Sequence, residues 1–185
     1  MTTQHVDIEI MHRYYRAEKA PFREMMDGLL QQYSAACLPV RMVFFGAVAG
    51  NEEYVARFAA LKEAVAARFP EAKPLVSLVA QPVDARGIAL EVHEVAVTEQ
   101  DTVSYREQDG TPYILVEREG LKRLFLGGVT GDVLHQDLRR QSDEAFAQIG
   151  RVLEAERMPI SAIVRQWNYI EKITEYDEGG HQHYQ

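Results

Sequence analysis

Three side chains near the C-terminal end of the sequence are of types that bind small carboxylates. Arg165, Trp167 and Tyr169 stand two residues apart, so on a β-strand they would share one face. A guanidinium grips a carboxylate with two parallel hydrogen bonds, and the two aromatic rings offer flat surfaces to a conjugated ligand. The same trio is also typical of a packed surface between subunits, with the arginine stacked on the tryptophan. The spacing alone leaves both interpretations open.

A second group of candidate residues lies in and before the final stretch HQHYQ. His181 and His183 are two apart, with Asp177 and Glu178 close by. Alternate residues meet on one side of a strand, but a metal site needs a third ligand, and histidines such as His93 are remote in sequence. We therefore predict no functional metal site and no cofactor.

Elsewhere the sequence shows no arrangement typical of acid–base or nucleophilic chemistry. Glu91 and Glu94 are three apart, so they do not share a strand face, and His93 faces opposite to Val92. Cys37 is the only cysteine, and its place on the apolar side of a helix end favours a buried thiol over a nucleophile. We predict no catalytic residue in this chain.

Two glycine-rich stretches resemble each other, FGAVAGN at 45–51 and LGGVTGD at 126–132. Each follows a strand-like run and precedes a helical pattern. The backbone amides of such loops bind phosphate in some proteins, but GGVTGD lacks the lysine and the spacing of the known phosphate loops. The pattern instead predicts a sharp turn from strand to helix. Gly50 and Gly131 are expected at positive φ, and Asn51 is expected to cap the helix.

Three amphipathic helices are predicted around these turns. The first begins near Pro21 and the second ends before Pro70. The third begins either at Asp132, which could cap it as Asn51 is expected to cap the second, or a few residues later. Each has apolar residues at spacings of three and four, which predicts one buried stripe. The stripes are Phe22, Met25, Met26, Leu29, Leu30, Tyr33 and Cys37; Val55, Phe58, Leu61, Val65 and Phe69; and Leu138, Ala145, Ile149, Val152 and Leu153.

The strands are predicted from apolar runs and alternation. LVSLVAQPV at 75–83 is almost continuously apolar, as expected of a strand covered on both faces. GIALEVHEVAV at 87–97 alternates, with Ile88, Leu90, Val92 and Val95 assigned to one face. YILVEREGLKRLFLGG predicts a hairpin that turns at Glu119–Gly120. The fold class is therefore α+β, with helices packed on a mainly antiparallel sheet. The polar segment 99–112 is interpreted as a linker between units at 1–98 and 113–185.

Composition and charge limit the kinds of ligand and partner that we expect. The net charge of −8, without a basic run, argues against nucleic acid as a ligand. No apolar run has the length of a membrane span or a signal peptide, and a single cysteine is typical of a reducing compartment. We expect a cytoplasmic protein that does not engage membranes and whose partners are small molecules or other proteins.

The second glycine stretch and the sequence after it resemble a known family. LFLGGVTGD followed by QSDEAFAQIGRVLEAERMPISAIVRQWNYIEKI is similar to the Rid/YjgF superfamily, older descriptions of which read endoribonuclease L-PSP or translation initiation inhibitor. RQWNYI, the acidic turn after it, and Tyr184–Gln185 are similar to the chorismatase branch. Where the superfamily has Ser-Gly-Gln, this chain has Gly127–Gly128–Val129. The matching helix and strand positions are Gln141, Ala145, Ile149, Leu153, Val164 and Tyr169.

This resemblance implies a fold and a function. It implies two tandem Rid/YjgF-like (chorismate-mutase-like) units, the first degenerate and the second incomplete, so that the chain is the N-terminal portion of a longer protein. That protein would hydrolyse the enol-pyruvyl ether of chorismate or a related acid, with Arg165, Trp167, Tyr169 and Tyr184 on one wall of the substrate pocket and the acid–base residues downstream. A Rid-type imine deaminase, a metabolite-binding protein and a non-catalytic assembly module remain alternatives. Because an incomplete sheet leaves an edge to cover, we also expect a homodimer or homotrimer.

Overall fold

The computed structural model describes residues 7–83 and 87–170. In these ranges the chain forms seven strands, three α-helices and one short 3-10 helix. In chain order they are β1 (Ile10–Ala17), α1 (Phe22–Gln32), β2 (Leu38–Gly46), α2 (Asn51–Arg68), β3 (Leu75–Val79), β4 (Ile88–Val95), β5 (Thr102–Gln108), β6 (Thr111–Arg118), β7 (Leu121–Leu126), α3 (Leu138–Ala155) and the 3-10 helix Ile160–Ala162.

Most strand pairs are antiparallel, which confirms the α+β class predicted from the sequence. One sheet has the order β1-β4-β2-β3 and the other is the meander β5-β6-β7. Among the strands of the described ranges, only β2 and β3 pair in parallel, because α2 carries the chain back between them. The internal contacts divide the chain into two compact units, Met1–Val129 and Thr130–Gln185, and both sheets belong to the first. Whether 1–98 and 113–185 are related units stays a prediction.

Helices α1 and α2 cover one face of the four-stranded sheet. The predicted stripe of α1 is confirmed for Met25, Met26, Leu29 and Leu30, which are buried. Cys37 lies beyond the end of the helix and is only partly buried, so the prediction of a buried thiol was wrong. In α2 only Leu61 and Val65 are buried, and Val55 is 39% exposed, so Val55 does not belong to the buried stripe as predicted. The strand residues under the helices include Ile88, Leu90 and Val92, as alternation predicted.

The opposite face of this sheet packs partly against the meander. Its apolar cluster contains Val40, Leu75 and Val95 from the first sheet with Ile114 and Val116 from β6. The assignment of Val95 to the face of Ile88 was therefore wrong, because strict alternation along β4 puts position 95 with 91 and 93. With a cluster on each side, β3 is buried at every position, as its continuous apolar sequence predicted.

Two tight turns shape the meander. The predicted hairpin turn is confirmed at Glu119 and Gly120, with φ of 47° and 84°. Asp109 and Gly110, with φ of 48° and 79°, make an equivalent two-residue turn between β5 and β6. Positive φ at both central residues matches the twist of antiparallel strands and favours glycine in the second place. The segment 99–112 is thus not a simple polar linker, because it contains β5.

The two glycine-rich stretches do follow strands β2 and β7, but their conformations differ from those predicted. Gly50 is extended, with φ of 172°, and Gly131 is not among the described glycines with positive φ. Asn51 is the first residue of α2 and not its cap; Glu53 instead accepts a hydrogen bond from the Ala49 amide at 2.5 Å. The positive φ, 65°, occurs at Gly128.

The second unit is built on α3. Asp137 caps this helix by accepting a hydrogen bond from the Arg140 amide at 2.8 Å. Asp132 accepts from the amides of Leu134 and His135, which makes a separate turn and accounts for the delayed start of the helix. Of the predicted stripe, only Val152 and Leu153 are buried. No helix in the described part of the chain is long and apolar enough to cross a membrane.

Candidate functional site

The residues predicted to bind substrate lie in a segment without regular secondary structure. Residues 163–170 form no strand, so the prediction that Arg165, Trp167 and Tyr169 share a sheet face was wrong. A strand requires hydrogen-bonded neighbours, and no described strand pairs with this segment. The β-prone residues of RQWNYI alone do not create one.

Arg165 and Trp167 nevertheless contact each other. The Arg165 Cζ atom lies 5.1 Å from the centroid of the indole ring, a cation–π distance. Trp167 is 40% exposed and Tyr169 47% exposed, so both ring surfaces are accessible. Tyr184, His181, His183, Asp177 and Glu178 lie outside the described residues.

A different cluster of chemically competent side chains lies in the first unit, between β1 and β4. These strands are antiparallel, with His12 directly opposite His93 and Tyr14 opposite Glu91. Because Glu91 and His93 are two residues apart on one strand, their side chains share a face. The pairing of the strands brings His12 onto the same face. We refer to His12, Glu91 and His93 as the sheet cluster.

One carboxylate oxygen holds the sheet cluster together. Glu91 Oε1 lies 3.1 Å from His12 Nδ1 and 2.9 Å from His93 Nε2. The two imidazole rings are 4.3 Å apart between centroids. The Tyr14 hydroxyl also donates to Glu91 Oε1, at 3.3 Å. Three donor groups therefore converge on one acceptor.

Burial decreases across the cluster from His93 to His12. The side chain of His93 is 6% exposed, that of Glu91 16% and that of His12 29%. The floor of the site is thus inside the protein, and its rim is open to solvent on the side of β1. A small ion or water molecule can reach the cluster from that side.

The environment favours a carboxylate and a neutral imidazole at neutral pH. Burial opposes ionisation of Glu91, but hydrogen bonds from His12 and His93 outweigh it and lower the Glu91 pKa. Burial is also the main cause that lowers the pKa of His93, and the positive charge of Arg41, opposite it on β2, acts in the same direction. Two imidazoles and a carboxylate are the donor types of zinc and non-haem iron sites.

A second buried carboxylate on β4 serves as a comparison. Glu94 is fully buried on the helix face, where it accepts hydrogen bonds from Tyr33 Oη at 2.7 Å, from Arg13 Nε at 2.5 Å and from the Ala36 amide at 3.3 Å. Its oxygens are engaged by a guanidinium, a phenol and the backbone. The opposite orientations of Glu91 and Glu94 confirm the prediction made from their spacing.

Sequence reasoning missed the sheet cluster for an identifiable reason. The pattern Glu-x-His on an alternating strand was visible at 91–93, but strand β1 was not predicted, so His12 had no assigned neighbour. Burial alternates along β1, but the residue types of IMHRYYRA do not alternate between apolar and polar, so the sequence contains no clear strand signal there. Among the described residues, the sheet cluster is the one group of three histidine, cysteine, aspartate or glutamate side chains whose potential metal-ligand atoms all lie within 4.8 Å of one another.

No protein-family model, no curated protein and no solved structure matches the chain.

Proposed function

We propose that this chain is the N-terminal portion of a chorismatase-like protein of the Rid/YjgF type, which hydrolyses the enol-pyruvyl ether of chorismate or a related acid. The observation that carries the proposal is the motif RQWNYI with its exposed contact between Arg165 and Trp167. An exposed guanidinium beside an indole is suited to a planar, conjugated carboxylate, which pairs with the former and stacks on the latter.

The fold is compatible with this proposal at the level of class. Helices α1 and α2 pack on one face of a mainly antiparallel sheet, and the two glycine stretches each lead from a strand towards a helix. These features support the α+β architecture that the resemblance implies.

The reaction divides between this chain and the residues that the resemblance places downstream. Protonation of the enol ether at its methylene carbon produces an oxocarbenium ion, water adds to it, and the hemiketal collapses to pyruvate and the ring alcohol. Arg165 would hold a substrate carboxylate, while Trp167, Tyr169 and Tyr184 would line one wall of the pocket. The general acid that supplies the proton belongs to the downstream part.

The test is an assay on the full-length gene product. Purified protein is incubated with chorismate, and released pyruvate is followed by a coupled reduction. Arg165→Met is expected to raise KM by about 10-fold or more, because a hydrogen bond to a charged group contributes about 1.5–3 kcal/mol. Arg139→Met, an exposed arginine on α3, is the matched control and should leave KM unchanged.

Other outcomes would point to the other functions. Ammonia release from imines of amino acids, without pyruvate from chorismate, would indicate a Rid-type deaminase. Binding of a small carboxylate without turnover would indicate a metabolite-binding protein. Neither activity, together with a stable homodimer or homotrimer by light scattering, would indicate an assembly module and refute the hydrolase proposal.

A further inference from the structure

The sheet cluster has properties beyond those of a structural hydrogen-bond network. A structural network of buried polar groups normally pairs donors and acceptors so that each is satisfied. Here one oxygen of Glu91 accepts from His12, His93 and Tyr14 together. Since an ionised carboxylate only accepts, both ring nitrogens must carry a proton in this arrangement. In the other tautomer of each neutral ring the proton lies on the second ring nitrogen, and the nitrogen that faces Glu91 then offers a lone pair to a metal ion.

The distances suit a transition-metal ion. Ions of this class bind histidine nitrogen and carboxylate oxygen at about 2.0–2.2 Å, which places neighbouring ligands roughly 3.0 Å apart at right angles and roughly 3.4 Å apart in a tetrahedron. The observed separations from Glu91 Oε1 are 2.9 and 3.1 Å, and the three candidate ligand atoms all lie within 4.8 Å of one another. The three atoms are therefore close enough for one ion to bind them all.

The backbone supplies the rigidity that such a site needs. His93 and Glu91 lie on β4, which pairs with a strand on each side, and His12 is held in register by the β1–β4 ladder. Ligands on paired strands are positioned more accurately than ligands on loops. His93 is fixed by burial, whereas His12, at the rim, can adjust its ring to the ion.

The charges near the cluster have opposing effects. Glu91 supplies a negative charge, and Arg41 opposite His93 supplies a positive charge that opposes a cation. We propose that His12, Glu91 and His93 bind one divalent transition-metal ion, with Zn²⁺ the best fit, and leave at least one coordination position open towards solvent. None of its residues is among those that carry the proposed hydrolase function.

Spectroscopic titration with Co²⁺ tests the proposal directly. Protein stripped with a chelator is titrated with Co²⁺, and the visible absorption of the bound ion is recorded, followed by displacement with Zn²⁺ and, as a comparison, with Mg²⁺. We expect one equivalent of Co²⁺, displacement by Zn²⁺ and none by Mg²⁺, which prefers oxygen ligands. Absence of a Co²⁺ spectrum at stoichiometric concentration would overturn the proposal.

Substitutions identify the ligands. His12→Ala removes the solvent-side ligand without opening the core, and Glu91→Gln keeps the shape of the side chain. Each should weaken Co²⁺ binding at least about 100-fold, more than the 10–100-fold typical of outer partners of a metal site. His135→Gln is the matched control, because His135 is exposed and contacts the single carboxylate of Asp132. It should leave affinity unchanged.

The C-terminal histidines require their own control. His181 and His183 are residues of a type that can bind metal adventitiously. The double variant His181→Gln/His183→Gln is therefore titrated as well. Retention of the Co²⁺ spectrum in this double variant supports the sheet cluster. Its loss there, with wild-type binding retained in His12→Ala, would assign the ion to the C-terminal sequence and refute the proposal.

Discussion

The turn after β7 offers a sharp test of how the first unit is packed. Gly128 has φ of 65°, and a Cβ atom added there would lie 2.2 Å from the Val76 carbonyl oxygen and 2.9 Å from Phe58 Cζ. Its amide donates to Ser77 Oγ at 2.8 Å. The loop therefore lies directly against β3, and a methyl group has no space without moving the backbone.

The expected cost of Gly128→Ala has two parts. An L-residue in the left-handed region costs about 1–2 kcal/mol, partly offset by about 0.4–1 kcal/mol because alanine restricts the unfolded chain. Overpacking against a rigid carbonyl adds about 1–3 kcal/mol. We expect a loss of about 2–4 kcal/mol in the free energy of unfolding.

Gly110→Ala measures the first part, the conformational cost, without the second. Gly110 has φ of 79°, but an added Cβ meets no atom within 4 Å. This variant pays the conformational cost alone, about 1 kcal/mol. Urea unfolding of both variants, followed by circular dichroism, measures the difference. If the two losses agree within about 0.5 kcal/mol, the close approach of the loop to β3 does not exist in solution and the described packing is wrong.

Two further predictions concern the buried charges. Tyr33→Phe should lower the free energy of unfolding by about 1.5–3 kcal/mol, because it removes a buried hydrogen bond to the Glu94 carboxylate, whereas Tyr14→Phe, which removes an exposed one, should change it by less than about 0.5 kcal/mol in the same denaturation assay. Asp101 is paired with Arg118, whose hydrogen bonds are the main cause that lowers its pKa to about 2. Since the folded-state pKa is below the unfolded value of about 3.9, the pair stabilises the protein fully above that pH and is lost as the pH falls through 2. The stability difference between wild type and Asp101→Asn should therefore shrink between pH 4 and pH 2, and a difference that stays constant over this range would contradict the pairing.

Local patterns predicted the elements with the strongest signals. The stripe of α1, the run of β3 and the turn at Glu119–Gly120 follow from periodicity and turn chemistry, and these are short-range properties of the chain. The conformation of Gly128 was not predicted, because it depends on contact with Val76, far away in sequence. The prediction of a strand at RQWNYI was wrong for the same reason, since a strand depends on a partner strand that the local sequence does not reveal.

The sheet cluster likewise combines features that the local sequence predicts with one that it does not. The alternation of Glu91 and His93 on one face could be read from their spacing, and so could the opposite orientation of Glu94. The third member, His12, is 79 residues from Glu91, and only the register between β1 and β4 brings them together. Pairing of distant strands is the information that a single sequence lacks.

The two carboxylates of β4, Glu94 and Glu91, differ in the groups that neutralise them. Because of this difference, Glu94 contributes to stability and Glu91 is available for chemistry. Glu94 is paired with Arg13, a guanidinium that keeps its charge at any physiological pH, and it also accepts from Tyr33 and a backbone amide. The Glu94 side chain is fully buried among these partners, so its role is to stabilise the fold. Glu91 is held by two imidazoles, and a neutral imidazole can carry its proton on either ring nitrogen, so that the other nitrogen offers a lone pair. A divalent ion can take the place of those protons without disturbing the strands, and for this reason the reactive carboxylate of β4 is Glu91.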